Sequence, residues 1–352
     1  MIDLTNPQDF KKIDPKNIYG STEMLPDQCD QIWRDGKAVC FPKDYKEVEN
    51  IVIAGMGGSA YGGHVISSLY RNNLPVPHVV HSDYELPGFV NEHTLIIIES
   101  YSGSTEESLS ALENAKRRNA KITGLTSGGK LREVLKTNYP SLVFKPIHNP
   151  SGQPRLGAGY MVLGTISLLS QIGLLKIPDS EVIQAVSELR EQQRSIKEGA
   201  RQLASALQGY IPVIFSAEHL VGNAHILRNQ FNETSKSFSA FSPLPELNHH
   251  LMEGLKNPTD KKLTILFLSS SLYSPVIQKR LELTKDVVTK NNIPFVEYQA
   301  QGTDELSQML NVLSFGGYLS LYLALLYGLD PSLIPWVDYF KEQLKNKTSP
   351  RL

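Results

Sequence analysis

Between Ser100 and Thr105 every residue except Gly103 carries a hydroxyl: Ser100-Tyr101-Ser102-Gly103-Ser104-Thr105. Hydroxyls and backbone N–H groups gathered in one turn suit an anion with several oxygens, such as a phosphate. The turn holds no lysine or arginine, so its grip would rest on neutral donors. A second stretch, Gly55-Met56-Gly57-Gly58-Ser59, has glycines that let a ligand approach the backbone closely. It is not a dinucleotide fingerprint, because Ala60 stands where the third glycine would be. No acid ends a following strand at the expected distance unless Asp83 is admitted. Each stretch also has a plain structural reading. The first could be an ordinary strand–helix turn with a Ser/Thr cap, and the second a tight strand–helix contact.

The flanking residues indicate what would position these groups. Leu95 to Ile98 is an apolar run, read as a strand buried on both faces. Thr105-Glu106-Glu107 reads as a helix N-terminus with acids in its first turn. The hydroxyl turn therefore faces the positive end of a helix dipole. Ile51 to Ala54 reads as the strand before the glycine stretch, and Val79-Val80, Ala120 to Leu125 and Ser141 to Phe144 as further strands. Helical patterns separate them, which predicts an α/β fold with a doubly wound, mainly parallel sheet. Ligands of such sheets bind at the carboxyl ends of the strands, where both stretches fall. Gly157 to Gly173 reads as a buried helix.

The second half repeats the plan. Ile211 to Ser216 answers the strand at Ile51, and Leu263 to Leu268, ending in Ser269-Ser270-Ser271, answers the strand ending at Ser100. Phe295 to Tyr298 is a third strand, and residues 181–208 form a long polar helix or helix pair. The boundary is placed at Lys176 to Asp179, with Asp179 or Ser180 capping the next helix, giving domains 1–176 and 177–352. Two such halves would enclose a cleft holding the site. The first 50 residues or so read as amphipathic helices, with Trp33 on an otherwise polar surface, and Lys345 to Leu352 as a frayed tail.

Composition narrows the function. The 352 residues suggest about two domains, and 41% hydrophobic with 20% charged residues suits a soluble globular protein. A net charge of -1 offers no basic field for nucleic acid or an anionic membrane. Cys29 and Cys40 form no metal or redox motif, and two free thiols fit a reducing cytoplasm. Met1 to Phe10 lacks the apolar core of a signal peptide. Met309 to Tyr327 is rich in leucine and tyrosine but holds Asn311, Ser314, Gly316, Gly317 and Ser320, so it reads as a buried helix rather than a membrane span.

Gly57-Gly58-Ser59, the Ser-Tyr-Ser-Gly-Ser-Thr turn, Pro154-Arg155, Asn232-Glu233 and Glu246-Leu247-Asn248-His249 occur in one order. That order resembles the bifunctional phosphoglucose/phosphomannose isomerase family, built from two sugar-isomerase (SIS) domains, over residues 20 to 345 or so. The resemblance implies interconversion of glucose or mannose 6-phosphate with fructose 6-phosphate. It implies phosphate binding by Gly57, Gly58, Ser59, Ser100, Ser102 and Thr105. It implies Glu233 as the base that moves a proton between C1 and C2, and Arg155 as the cation that stabilises the enediolate. His249 would open the sugar ring, reaching the site from a neighbouring subunit, so a homodimer is implied. Lys341 would lie near the ring oxygen. Some positions depart from the family's pattern: Ala60 stands for a frequent glycine, His64 for an acid, and Ser104 and His250 for asparagines.

Aldose–ketose isomerisation involves no net redox change, so no cofactor is expected. A zinc site is not expected either. His249 and His250 are adjacent, and His219 and His225 are six apart, so neither pair has the i, i+4 spacing that puts two ligands on one helix face. The alternative from another class is a catalytically silent SIS protein that binds a sugar phosphate and regulates a partner. Such a regulator usually carries a DNA-binding module, and no basic helix-turn-helix is read here. An isomerase of another phosphosugar is a third reading.

Overall fold

A computed structural model of the chain describes residues 2–346. The tail expected to fray, Lys345 to Leu352, falls almost wholly outside the described residues. Among the described residues nine strands form two parallel sheets. β1 (Asn50–Ala54), β2 (His78–His81), β3 (Thr94–Glu99), β4 (Lys121–Thr126) and β5 (Leu142–Val143) align in the order β2-β1-β3-β4-β5. β6 (Ile211–Ser216), β7 (Ala240–Pro243), β8 (Leu263–Ser269) and β9 (Phe295–Gln299) align as β7-β6-β8-β9. Every paired strand runs parallel, as right-handed crossovers through helices produce. The second sheet therefore repeats the first four positions of the first sheet.

The helices that matter for the site are, in chain order, α1 (Leu25–Gly36), α2 (Tyr61–Leu69), α3 (Glu106–Arg117), α4 (Ala158–Ile172), α5 (Asp179–Leu207), α6 (Val221–Gln230), α7 (Pro275–Lys290), α8 (Glu305–Leu326) and α9 (Pro335–Asn346). In β1 and β3 alternate residues face opposite ways. Ile51, Ile53, Leu95 and Ile97 join a core continuous with the second sheet, while Val52, Ala54, Ile96 and Ile98 pack beneath α3. Burial on both faces is why these strands read as unbroken apolar runs. Helix α2 packs on α6, and α6 on α8, which joins the two sheets through one core. Helix α8 has the length and hydropathy of a membrane span, yet 94% of that window is buried within the protein.

Three expectations are corrected. The second half has four strands, because β7 was not foreseen. Its four residues, Ala240-Phe241-Ser242-Pro243, are only partly buried at a sheet edge and end in proline, so they form no apolar run. Neither Asp179 nor Ser180 caps α5, whose N-cap position is Pro178 with no side-chain bond. Asp179 instead accepts from Trp33 Nε1 at 3.1 Å and Lys37 Nζ at 2.5 Å, both on or next to α1. Trp33 accordingly lies buried at the junction of α1 and α5 rather than on a polar surface. Of the two alternatives for residues 181–208, the single helix is the one found, and it ends at Leu207.

Candidate active site

The hydroxyl turn connects β3 to α3. Ser100 is buried, and its Oγ lies 2.9 Å from Thr105 Oγ1 and accepts from Gly103 N at 3.1 Å. Thr105 is the N-cap residue of α3, but its side chain spends its bond on Ser100 rather than on the helix N–H groups. Those N–H groups stay available to an anion. Gly103 adopts φ +70°, and a Cβ there would sit 1.7 Å from Gly128 O, so this corner accepts only glycine. Ser102 and Ser104 are exposed at the rim.

The glycine stretch follows β1, the central neighbour of β3, so both turns end on one side of the sheet. Ser59 ties them together by accepting from Tyr101 N at 3.0 Å. Gly57 takes φ +54° with open space around it, which leaves its backbone accessible. Gly58 packs face to face with Arg155: a Cβ on Gly58 would lie 3.1 Å from Arg155 Cα.

Arg155 stands in the short turn Pro154–Leu156 and is buried. A buried guanidinium needs its donors satisfied. Nη2 donates to Pro331 O at 2.6 Å and Ser332 O at 3.2 Å, Nη1 to Gln153 Oε1 at 3.1 Å, and Nε reaches Thr234 Oγ1 at 3.4 Å. One N–H, on Nη1, is left, and Nη1 lies 3.8 Å from Glu233 Oε2. Glu233 is half-buried in a five-residue π-turn, Phe231–Ser235, that continues α6. Such a turn is a frequent feature of functional sites. Desolvation raises the proton affinity of Glu233, while Arg155, Lys341 and Lys236 oppose that rise in turn. A carboxylate whose pKa is lifted toward neutrality beside a fixed cation has the character of a general base.

Lys341 lies on the exposed helix α9, within electrostatic reach of Glu233. His249 ends the short helix Glu246–His249 and is exposed. Among the described residues no hydrogen bond or ion pair joins it to Glu233, Arg155 or the hydroxyl turn. The fold thus brings Gly57, Gly58, Ser59, Ser100, Ser102, Thr105, Arg155 and Glu233 into one neighbourhood, with Lys341 in reach, while His249 is tied to them by no hydrogen bond or ion pair among the described residues.

Three groups escaped the sequence reading. Tyr61 is fully buried, its hydroxyl has no protein partner, and Glu233 and Arg155 both act on it. Lys236 closes the π-turn, and partial desolvation followed by Arg155 brings its pKa down to about 8. Glu99 ends β3 immediately before Ser100. Its carboxyl is buried, and desolvation lifts its pKa to about 8, with Thr165 as its hydrogen-bond partner. A neutral carboxyl under the turn leaves a phosphate unopposed. Nothing in the spacing of these residues announced them. The one available signal was an acid ending an otherwise apolar strand at Glu99.

Glu99 yields a pH prediction. The unfolded chain releases this proton near its ordinary pKa of 4.5, the folded chain near 8. Between those values the native state holds a proton that the unfolded state has lost, so stability falls as pH rises through the window. Glu99→Gln removes the titration. The variant is expected to lose less melting temperature than the wild type between pH 5 and pH 8.5. Parallel losses in the two proteins would refute the buried neutral carboxyl.

His64 stacks on His225 with ring centroids 3.5 Å apart, and Arg228 Nη2 donates to His225 Nε2 at 2.9 Å. Burial first, then neighbouring positive charge, holds the pKa of His64 to about 4 and that of His225 to about 3, so both rings are neutral at pH 7. His219 Nε2 is engaged by Gln308 at 3.1 Å. Among the described residues no three His, Cys, Asp or Glu side chains converge as metal ligands.

Residues 44–130 match the SIS domain family, and residues 196–344 match the bacterial phospho-glucose isomerase C-terminal SIS domain. A bifunctional phosphoglucose/phosphomannose isomerase from Caldicellulosiruptor bescii is 32% identical over 343 residues, which cover 93% of this chain and 98% of that protein. A protein of the same description from Aquifex aeolicus is 32% identical over 86% of this chain and 92% of its own length. Among solved structures, a hypothetical protein from Thermus thermophilus aligns with a TM-score of 0.73 at 15% identity, covering 97% of this chain and 92% of that one. That last likeness is one of fold.

Proposed function

The chain belongs to the bifunctional phosphoglucose/phosphomannose isomerase family and is an isomerase; on that premise we propose that it interconverts glucose 6-phosphate, mannose 6-phosphate or both with fructose 6-phosphate at the cluster around Glu233. Ser59, Ser100, Ser102 and Thr105, with the backbone of Gly57 and Gly58, hold the phosphate. Once the ring is open, Glu233 takes the proton from C2 of the aldose and returns it to C1 of the enediol(ate). The hydrogen lost at one carbon is regained at its neighbour, so no external oxidant or reductant enters. Arg155 offers its one uncommitted N–H and its fixed charge to the oxygen that becomes negative.

The enediol(ate) is planar at C2, where glucose and mannose differ. One base can therefore serve both sugars if the cleft accepts both configurations. Lys341 stands by the ring oxygen. His249 shuttles the ring-opening proton from the second subunit of a homodimer, a reading supported by the lack of any hydrogen bond or ion pair between His249 and Glu233 among the described residues of one chain. The chain divides into functional halves at 1–176 and 177–352, the first supplying the phosphate grip and the second the base.

The observation that supports this reading best is the contiguity of phosphate turn, cation and base. Gly58 lies against the backbone of Arg155, and the Arg155 guanidinium reaches to 3.8 Å from Glu233. A coupled assay of fructose 6-phosphate formation from each aldose 6-phosphate tests it, run with and without a chelator. Turnover indifferent to chelator is expected. Absence of turnover with both sugars would send the reading to another phosphosugar, and activity lost in chelator and restored by zinc would end the metal-free mechanism.

The phosphate grip has its own test. Hydrogen bonds to a charged group contribute about 1.5–3 kcal/mol each, so Ser100→Ala with Thr105→Ala is expected to raise KM by roughly 10²-fold. The effect on kcat should be much smaller, because the phosphate is held alike before and during the reaction. An unchanged KM would reduce the turn to a structural cap.

A further inference from the structure

Lys236 stands three residues after Glu233 and closes the π-turn in the left-handed region, at φ +53°. A lysine there bears a conformational cost that glycine or asparagine would largely avoid. The residue as a whole is exposed, but its ammonium is committed: it donates to Thr234 O at 3.1 Å and to Asp330 O at 2.7 Å. Asp330 begins the strap that leads from α8 to α9. The next two carbonyls of that strap, Pro331 O and Ser332 O, are the two that accept from Arg155 Nη2. Three consecutive backbone carbonyls are thus bound by the two cations that flank Glu233.

The strap is shaped to present them. Asp330 Oδ1 accepts from Ser332 N at 2.8 Å, a side-chain turn of the kind aspartate favours. Pro331 and Ser332 are buried, and Ser332 Oγ has no protein partner. Helix α9 then begins at Pro335, and Trp336, Tyr339 and Phe340 on it are largely exposed. With so little packed around its first turns, the direction of α9 depends on how its root is held. The charged groups around Lys236 are Arg155, Asp330 and Glu233, while Lys341 acts on Glu233 from α9.

We propose that Lys236 is a positioning residue: with Arg155 it clips the strap at residues 330–332 to the turn that carries Glu233, and so sets where α9 delivers Lys341. This rests on the reading that Glu233 and Lys341 work on the sugar. The ammonium itself need not touch substrate, since two of its three N–H donors already engage Thr234 O and Asp330 O.

The test uses the full chain in four forms: Lys236→Met, Lys236→Arg, Lys341→Met and the Lys236→Met, Lys341→Met pair. Hydrogen exchange of the peptide over residues 328–334 reads the clip directly. Loss of one hydrogen bond should speed exchange there by roughly tenfold in Lys236→Met, without a matching rise across the strands, and Lys236→Arg should restore it. Unchanged exchange in Lys236→Met would overturn the clip. Turnover reads its purpose. Lys236→Met should lower kcat by about tenfold with little change in KM, and Lys341→Met should cost much less in that background than alone. Losses that multiply would overturn the positioning role even if exchange responds. Wild-type turnover in Lys341→Met alone would remove the premise instead, a result distinct from either of these. A purely structural lysine would lower the melting temperature and leave the two losses independent.

Discussion

Glu233→Gln is expected to lower kcat by about 10²- to 10⁴-fold while KM stays within a few-fold of the wild type. The amide keeps the size of the side chain and much of its hydrogen bonding, but it cannot take up a proton from carbon. Binding should survive because the phosphate donors lie in the turns that follow β1 and β3, at the other sheet. The fold should survive as well. Arg155 keeps its four other acceptors, Gln153, Thr234, Pro331 and Ser332, all neutral, so removal of the carboxylate charge at 3.8 Å does not leave the guanidinium without hydrogen bonds. The wild-type pH profile supplies a companion measurement. Desolvation raises the Glu233 pKa against the opposing pull of Arg155, so the acid limb of kcat/KM should fall above the ordinary glutamate value of 4.5. Near-wild-type kcat in the variant would remove Glu233 from the chemistry, whatever the family resemblance implies.

What the sequence disclosed follows a physical division. Leu95 to Ile98 and, within the strand Leu263 to Leu268, Ile265 to Leu268 were readable because a strand buried on both faces leaves an unbroken apolar run. Helix α8 was readable as buried because Asn311, Ser314 and Gly316 interrupt its leucines, which a lipid-facing surface would not favour. The hydroxyl turn could be singled out because its donors are contiguous in the chain. Glu233 could not. In sequence it is one acid in Asn-Glu-Thr-Ser-Lys, and only the fold places it beside Arg155 and gives it a raised proton affinity. The same holds for Lys236, whose partners are carbonyls of residue 330 and of its own turn. Carbonyls carry no sequence signature, so the strap was invisible until the chain was folded. The short edge strand β7 was missed for the opposite reason: it is too little buried to need an apolar run.

Mixing two inactive variants, Glu233→Gln and His249→Asn, is expected to recover about one quarter of wild-type activity after their subunits exchange, because each variant supplies the acid–base group that the other lacks. Within one chain His249 is exposed and joined to none of the Glu233 cluster. If each site takes its histidine from the partner, a mixed dimer holds one site with both lesions and one with neither. Half of its sites are therefore intact. Random exchange makes half of the dimers mixed, and the product of the two fractions is the quarter. His249→Asn alone should lose roughly 10²-fold or more in turnover of the cyclic sugar, as a missing proton shuttle would. Its rate on an open-chain analogue should suffer far less, because only ring opening needs the imidazole. A histidine acting within its own chain gives a different arithmetic. Each site of the mixed dimer would then carry one lesion, and mixing would recover nothing. The outcome separates a site shared between subunits from one completed by a single chain, and it does so without a structure of the dimer.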